Sequence, residues 1–278
     1  LTVASKDQFF EQLADAFAKK ISKTEARKIS EFAKQHYAHI PLEELVSRRF
    51  GDTYGAVLAA WQFLQKRSAE ETPVAVFNPD LESDGWQSTH TVVFILHPNI
   101  PFLIDSLRIA INQREIGTHS IQHSILQVER QSDGKLKKLH TTKKKASGSD
   151  YEAFIVLEID RHSDPEDLRD LEDTLQNVLH EVRIAVSDFP VVTEKVNEIL
   201  GELDSTTAGI NDEQKEEARA FLEWLARDHF TFLGYDEYDF AKDKSGMVVR
   251  RVENSELGIL RVNNERPDRV RLNELPQR

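Results

Sequence analysis

Apolar residues recur at three- and four-residue spacing through the first 67 positions. Phe9, Phe10, Leu13, Phe17 and Ile21 form one stripe, and Tyr54, Val57, Leu58, Trp61 and Leu64 form another. One apolar face on a 3.6-residue period predicts amphipathic helices, and Pro41 suits the first turn of one more. The pattern predicts a helical segment over residues 1–70 with three or four helices.

The period then changes. PVAVFNPD (Pro73–Asp80) alternates briefly and ends in the turn signal Asn-Pro, which predicts a short strand before a loop holding Gly85 and Trp86. THTVVFILH is apolar and β-branched throughout, so it reads as a strand buried on both faces. PFLIDSLRIAINQREIG is an amphipathic helix with Phe102, Leu103, Leu107, Ile111 and Ile116 near one face and Gly117 as its stop. THSIQHSILQVERQ and YEAFIVLEIDR read as strands, and KLKKLHTTKKKASGSD between them reads as a loop. Asp164 and Pro165 open a long helix whose stripe includes Leu168, Leu171, Leu175 and Leu179, and which continues as a helix after Pro190.

The order strand, helix, strand, strand, helix lacks one strand of a βαββαβ ferredoxin-like domain. FTFLGYDEYDF, after a further helix with Phe221, Trp224 and Leu225 facing inward, either completes that sheet or starts a second one by a hairpin with GMVVRRV. The fold class is therefore α+β. A helical segment (1–70) precedes a ferredoxin-like sandwich (73–205), and a helix plus β-hairpin (206–278) starts a second α+β domain. Residues 253–278 read as polar and irregular.

Composition narrows the function classes. Lys and Arg number 36 against 48 Asp and Glu, a net charge of -12. Such a chain is a poor partner for nucleic acid or an anionic membrane, both of which need a basic face. With no cysteine, disulfides, thiolate nucleophiles and Cys-based zinc sites are excluded. No apolar run reaches the ~20 residues of a membrane span, and no signal peptide is visible at the N-terminus. A cytoplasmic setting is expected. The first residue is Leu and the end, NELPQR, is polar and abrupt, which reads as a piece of a longer chain.

Five blocks, in order, resemble the N-terminal region of the large bacterial NAD-specific glutamate dehydrogenases. They are FNPDLESDGWQSTHTVVFIL, IPFLIDSLRIAINQREIGTHSIQHSILQVERQSDGKL, EIDRHSDPEDLRDLEDTLQNVLHEVRIAVSDF, FLEWLARDHFTFLGYDEYDF and ELGILR. The resemblance implies an ACT-like regulatory domain with the βαββαβ order. It implies a parent oxidoreductase that interconverts glutamate and 2-oxoglutarate with NAD, in a catalytic domain far downstream. The expected partners are the catalytic and other domains of the same chain, further copies in a homo-oligomer, and an amino-acid effector. No cofactor is expected in this chain itself. A dinucleotide site needs a Gly-rich turn between strand and helix, and the turn here is HPNIP. The chain alone is expected to be non-catalytic.

In ACT domains that sense amino acids, the effector lies near the loop from the first strand to the first helix. The resemblance therefore points to His97, Asn99, Ile100, Phe102 and Asp105 as effector-binding candidates. Helix N-terminal N–H groups suit a carboxylate there, Asn99 suits an ammonium or carboxylate, and Asp105 suits an amine. Pro101 removes one donor. Amino-acid-binding members carry glycine where this chain has Phe102, whose side chain is expected to fill the space or enter an interface. A structural turn is the favoured reading over a ligand site.

Other motifs read as structural. His119 and His123 share a strand face but lie about 13 Å apart, too far to hold one metal together. The lysines from Lys135 to Lys145 read as an exposed loop. Glu166/Asp167 and Glu216/Glu217 sit in first helical turns, where negative charge suits the dipole. Phe230, Phe232 and Tyr238 are expected to pack against helices rather than stack on RNA bases, because the central strand is acidic.

Overall fold

The computed structural model describes residues 3–141, 148–205, 209, 211–243, 246–262, 267 and 269–271. The chain divides into two compact units, Leu1–Leu179 and His180–Arg278, and each is treated by itself.

The first unit begins with four helices: α1 (Lys6–Lys20), α2 (Lys23–His36), α3 (Leu42–Ser47) and α4 (Phe50–Leu64). Ser5 and Ser22 cap α1 and α2 by accepting hydrogen bonds from Gln8 N and Glu25 N, satisfying donors that the first turn cannot pair internally. Five strands follow: β1 (Val74–Phe77), β2 (Thr91–Pro98), β3 (Thr118–Arg130), β4 (Leu136–His140) and β5 (Asp150–Ile159). They form one sheet in the order β1-β2-β5-β3-β4, every pair antiparallel. Between them lie α5 (Leu103–Gln113) and, after β5, the start of α6 (Pro165–Ser205). Asp164 Oδ1 accepts from Glu166 N at 2.8 Å, so α6 begins where the Asp-Pro pair predicts.

Because side chains alternate across a strand, each strand serves two cores. Val92, Phe94 and Leu96 of β2, Leu126 and Val128 of β3, and Phe154 and Val156 of β5 join the cluster built by Phe9, Leu13, Phe17, Phe32, Trp61 and Leu64 of the N-terminal helices. The alternate residues Val93, Ile95, Ile155 and Leu157 are as deeply buried, on the face served by Leu103, Leu107 and Ile111 of α5 and Leu171, Leu175 and Leu179 of α6. Arg114, just past α5, ties it to α6 by bonding Asp170 at 2.6 Å and the Thr174 hydroxyl. β2 is buried on both faces, as its continuous apolar run predicts.

The α+β class holds, but the sheet departs from the expected βαββαβ closure. Strands β2, β5 and β3 lie as that order requires. The place beside β2, however, is filled by β1, which precedes it in the chain. With β1 on one side and β5 on the other, β2 has no edge left for a later strand. The segment expected to be a loop after SDGK also differs, since Leu136–His140 is strand β4, paired with β3. Its lysines project from an edge strand, where charge is common and obscures the apolar alternation. Lys143–Lys145 lie outside the described residues.

In the second unit, α6 runs on through Pro190 without a break. α7 (Asp212–Trp224) starts from an Asn211/Gln214 capping box and passes into a π-helical turn, Leu225–His229. The FTFLGYDEYDF segment splits into β6 (Gly234–Tyr235) and β7 (Tyr238–Asp243) and stays out of the first sheet. β7 pairs with β8 (Gly246–Arg251), and β8 with β10 (Arg269–Arg271); β6 pairs with β9 (Leu257–Gly258), which leads into a 3-10 turn, Ile259–Arg261. The tail expected to be irregular thus holds two short strands.

The last resemblance block, ELGILR, has a structural reason. Gly258 has φ of 63°, and a Cβ there would meet Leu233 O at 2.1 Å, so only glycine fits. Asp188 of α6 accepts from Gly258 N at 2.7 Å and from Arg261 at 2.9 Å. Contrary to expectation, Phe221 and Trp224 of α7 are exposed, as are Phe230 and Tyr238. Phe232 meets a helix ring, Phe189 of α6, with centroids 6.3 Å apart.

Candidate functional site

β2 ends at Pro98, and the backbone N–H of Asn99 still reaches Tyr151 O of β5 at 2.9 Å. This carries the ladder one residue past the strand and holds the turn against β5. Ile100 and Pro101 follow, and Phe102 caps α5 with φ of 69° and ψ of 1°. A non-glycine residue in this left-handed region carries strain of about 1–2 kcal/mol. Phe102 therefore adopts the backbone that glycine would adopt freely, while half of its side chain is open to solvent.

No side chain caps α5. Phe102 O accepts from Ser106 N at 3.0 Å, so the helix is well formed from its first turn. The first-turn donors remain available to an acceptor from outside the helix, with exposed Asp105 among them.

His97 sits differently from the other candidates. It is fully buried, and its Nδ1 donates to Pro98 O at 2.8 Å. Register places His97 and Ile125 on either side of Ala153, so these side chains share the α5 face of the sheet. Gln127 and Ser149, bonded to each other at 2.7 Å, are also buried at this end of the sheet. The structure thus groups Asn99, Ile100, Phe102 and Asp105 on an accessible turn, and sets His97 beneath it among buried polar groups.

Sequence reasoning missed Tyr151, Gln127 and Ser149. Gln127 carried a signal, since it falls on the same strand parity as Ile125. Ser149 and Tyr151 carried none, because their place depends on how β5 enters the sheet.

The other face of β5 holds charges that sequence reasoning also missed. Glu152 is buried and bonds Arg67 Nε at 2.9 Å and Arg130 Nη2 at 2.6 Å. The second arginine charge is met by carbonyls: Arg130 also donates to Gly134 O and Leu64 O, and Arg67 to Ser68 O. Farther along β5, Glu158 takes both forks of Arg48, at 2.8 and 3.3 Å. Buried His36 donates from Nδ1 to the Ser124 hydroxyl at 2.9 Å, and that hydroxyl donates back to His36 O. Burial, reinforced by the Arg48 charge, pulls the His36 pKa down to about 3. Burial likewise lifts the neighbouring Tyr37 to about 12. These groups fasten the helical layer to the sheet.

The two strand histidines also separate. A register shift between Thr118 and Ser120 interrupts the alternation. His119 bonds Asp160 at 2.8 Å and lies against His90 with ring centroids 4.1 Å apart, whereas His123 is exposed on the strand, with its pKa lowered by partial desolvation. Hydrogen bonds from His119 and Gly117 N hold the Asp160 carboxyl below the usual range.

Comparison with known proteins bears on this arrangement. The family model described as glutamate dehydrogenase, ACT1 domain, matches residues 32–175, which includes the strand–turn–helix unit. The NAD-specific glutamate dehydrogenase of Halomonas elongata is 40% identical over 256 residues, covering 92% of this chain and 16% of that protein. That of Pseudomonas aeruginosa is 39% identical over 261 residues, covering 94% of this chain and again 16% of the relative. The chain therefore spans about a sixth of the length of these relatives.

Proposed function

This chain belongs to the glutamate dehydrogenase ACT1-domain family, and from that premise we propose that it is the regulatory and assembly portion of a large NAD-dependent glutamate dehydrogenase. In this reading the parent enzyme is cytoplasmic and converts L-glutamate, NAD and water to 2-oxoglutarate, ammonia and NADH. NAD and the reacting carbons belong to other domains of the parent. The HPNIP turn supports that division, because it offers no glycine for a pyrophosphate to approach.

The observation that carries the regulatory reading is the turn into α5. An uncapped helix start beside exposed Asn99 and Asp105 suits the carboxylate and ammonium of an amino-acid effector. Calorimetric titration of the chain with a panel of amino acids tests it. Saturable heat with at least one of them, weakened by Asn99→Ala, is the expected result.

A second reading makes the chain a purely structural subunit-interaction module in a homo-oligomer. It is favoured by the exposed Phe102, Ile109, Ile125 and Tyr151, apolar side chains from α5, its cap and the adjoining strands. Sedimentation of the same samples separates the two. Concentration-dependent association without heat from any amino acid would leave only the structural module. The other partners proposed are the remaining domains of the parent chain, with neither nucleic acid nor membrane among them. Among the described residues no helix is long and apolar enough to cross a membrane.

A further inference from the structure

A hollow of about 20 Å³ lies in the first unit, between the helical layer and the sheet, lined by Trp86, His36, Tyr37 and Gln122. The register of the strands accounts for its sheet wall. Val156 of β5 stands between Phe94 of β2 and Gln122 of β3, so these three side chains share the face toward α1–α4. Helix α4 accounts for the space itself. Trp86 lies so close to it that a Cβ at Gly55 would meet the Trp86 Cβ at 2.5 Å. Ala56 and Ala60, one turn apart on the same helix, are too small to fill what remains.

The polar groups around the hollow are unusual. His36, Tyr37, Trp86 and Gln122 are only 6%, 4%, 5% and 5% exposed. The Trp86 indole N–H is buried and finds no acceptor among the described residues. The Tyr37 hydroxyl and the Gln122 amide form no hydrogen bond to a described side chain or backbone group either. His36 uses one nitrogen only. The Ser124 hydroxyl gives its proton to His36 O and accepts from Nδ1, which leaves Nε2 with a lone pair. Buried polar groups in folded proteins are paired, by water where the protein supplies nothing. Cavities that stay empty have apolar walls. This one does not, and its volume exceeds the ~10–15 Å³ that a single water requires.

We propose that the hollow holds one ordered water that accepts from the Trp86 indole N–H and donates to His36 Nε2, with the Tyr37 hydroxyl and the Gln122 amide as its other partners. The mixture of donors and acceptors selects water. An ammonium ion has no lone pair for the indole proton, and a chloride ion would face the His36 lone pair and the Glu158 carboxylate, which also lines the hollow. The water joins α2, the loop before β2 and strand β3, three segments far apart in the chain, as a bridging water does at little entropic cost. This site is independent of the effector reading at the α5 turn.

The test is a water-to-indole cross-relaxation measurement on the chain, with the Trp86 resonance assigned by its loss in Trp86→Phe. A cross-peak of the sign given by long-lived bound water is expected at the Trp86 indole. Ala60→Val fills the hollow and should abolish that cross-peak while the backbone amide spectrum stays folded. A crystal structure should show one atom within hydrogen-bond distance of both Trp86 Nε1 and His36 Nε2. No cross-peak in the wild type, or one that survives in folded Ala60→Val, would overturn the site. Density that acquires a bromine anomalous signal when chloride is exchanged for bromide would overturn water as its occupant. The wild-type spectrum decides the matter even where Ala60→Val fails to fold.

Discussion

The two faces of the five-stranded sheet are finished in different ways. On the face toward α1–α4, aromatic rings interlock: Phe154 lies within 6.3 Å, centroid to centroid, of Phe32, Phe63 and Phe94. Buried Glu152 on that face is paired with both Arg67 and Arg130. On the face toward α5 the core is aliphatic and stops short. Ile125 of β3 is 55% exposed and Ile109 of α5 is 57% exposed. Dense aromatic packing fixes the first face, whereas the second keeps apolar surface and a strained turn within reach. One face acts as scaffold and the other is where an exchangeable contact can form.

The largest way to break this contrast is at Glu152. Glu152→Ala leaves two largely buried arginines without their counter-charge and should cost about 3–5 kcal/mol, seen as a fall in the urea midpoint. Ile125→Ser on the open face should stay within about 0.5 kcal/mol. Equal losses at the two positions would show that the second face is as tightly built as the first.

A smaller effect comes from protons. His36 is neutral in the fold, with a pKa near 3 against 6.5 when exposed. Below pH 6.5 the unfolded chain takes up a proton that the folded chain refuses. Stability present above pH 6.5 is therefore lost as pH falls toward 3, by about 1.4 kcal/mol per unit from this group. Urea melts at pH 6.5 and 5 should differ by about 2 kcal/mol more in the wild type than in His36→Phe. A variant that keeps the full slope would place the acid sensitivity elsewhere.

The smallest expected effect is a gain. Phe102→Gly relieves the left-handed backbone at the α5 cap and should stabilise the chain by up to about 1 kcal/mol, read from the thermal midpoint. A loss instead would mean that the covered half of the Phe102 ring holds the turn closed, which would align the α5 face with its sealed counterpart.

Much of this architecture was legible in the residues. The stripe of Phe9, Leu13 and Phe17 needs a helix with a buried face whatever it packs on. The unbroken run from Thr91 to His97 needs cover on both faces, and receives it. Less was legible where the signal depends on a neighbour. Lys137 and Lys138 hide the alternation of β4, because an edge strand tolerates charge on either side. Phe221 and Trp224 have helical spacing but no cover in the second unit, because periodicity gives the direction of a face and not its partner.

The candidate turn was half legible. Its position between a strand and a helix followed from the change of period at Pro98–Pro101. The fate of each side chain did not, since His97 and Asn99 are two residues apart and yet one is buried and the other exposed. By itself the sequence determined the α+β class, the run β2-α5-β3-β5-α6 and the lack of a glycine turn for a dinucleotide, because these rest on local spacing and backbone chemistry. The tertiary structure alone decided that β1 closes the sheet beside β2 and that Glu152 gathers two arginines. Each of these joins residues far apart in the chain, and no local pattern records which distant side chain will complete a hydrogen bond or fill an edge.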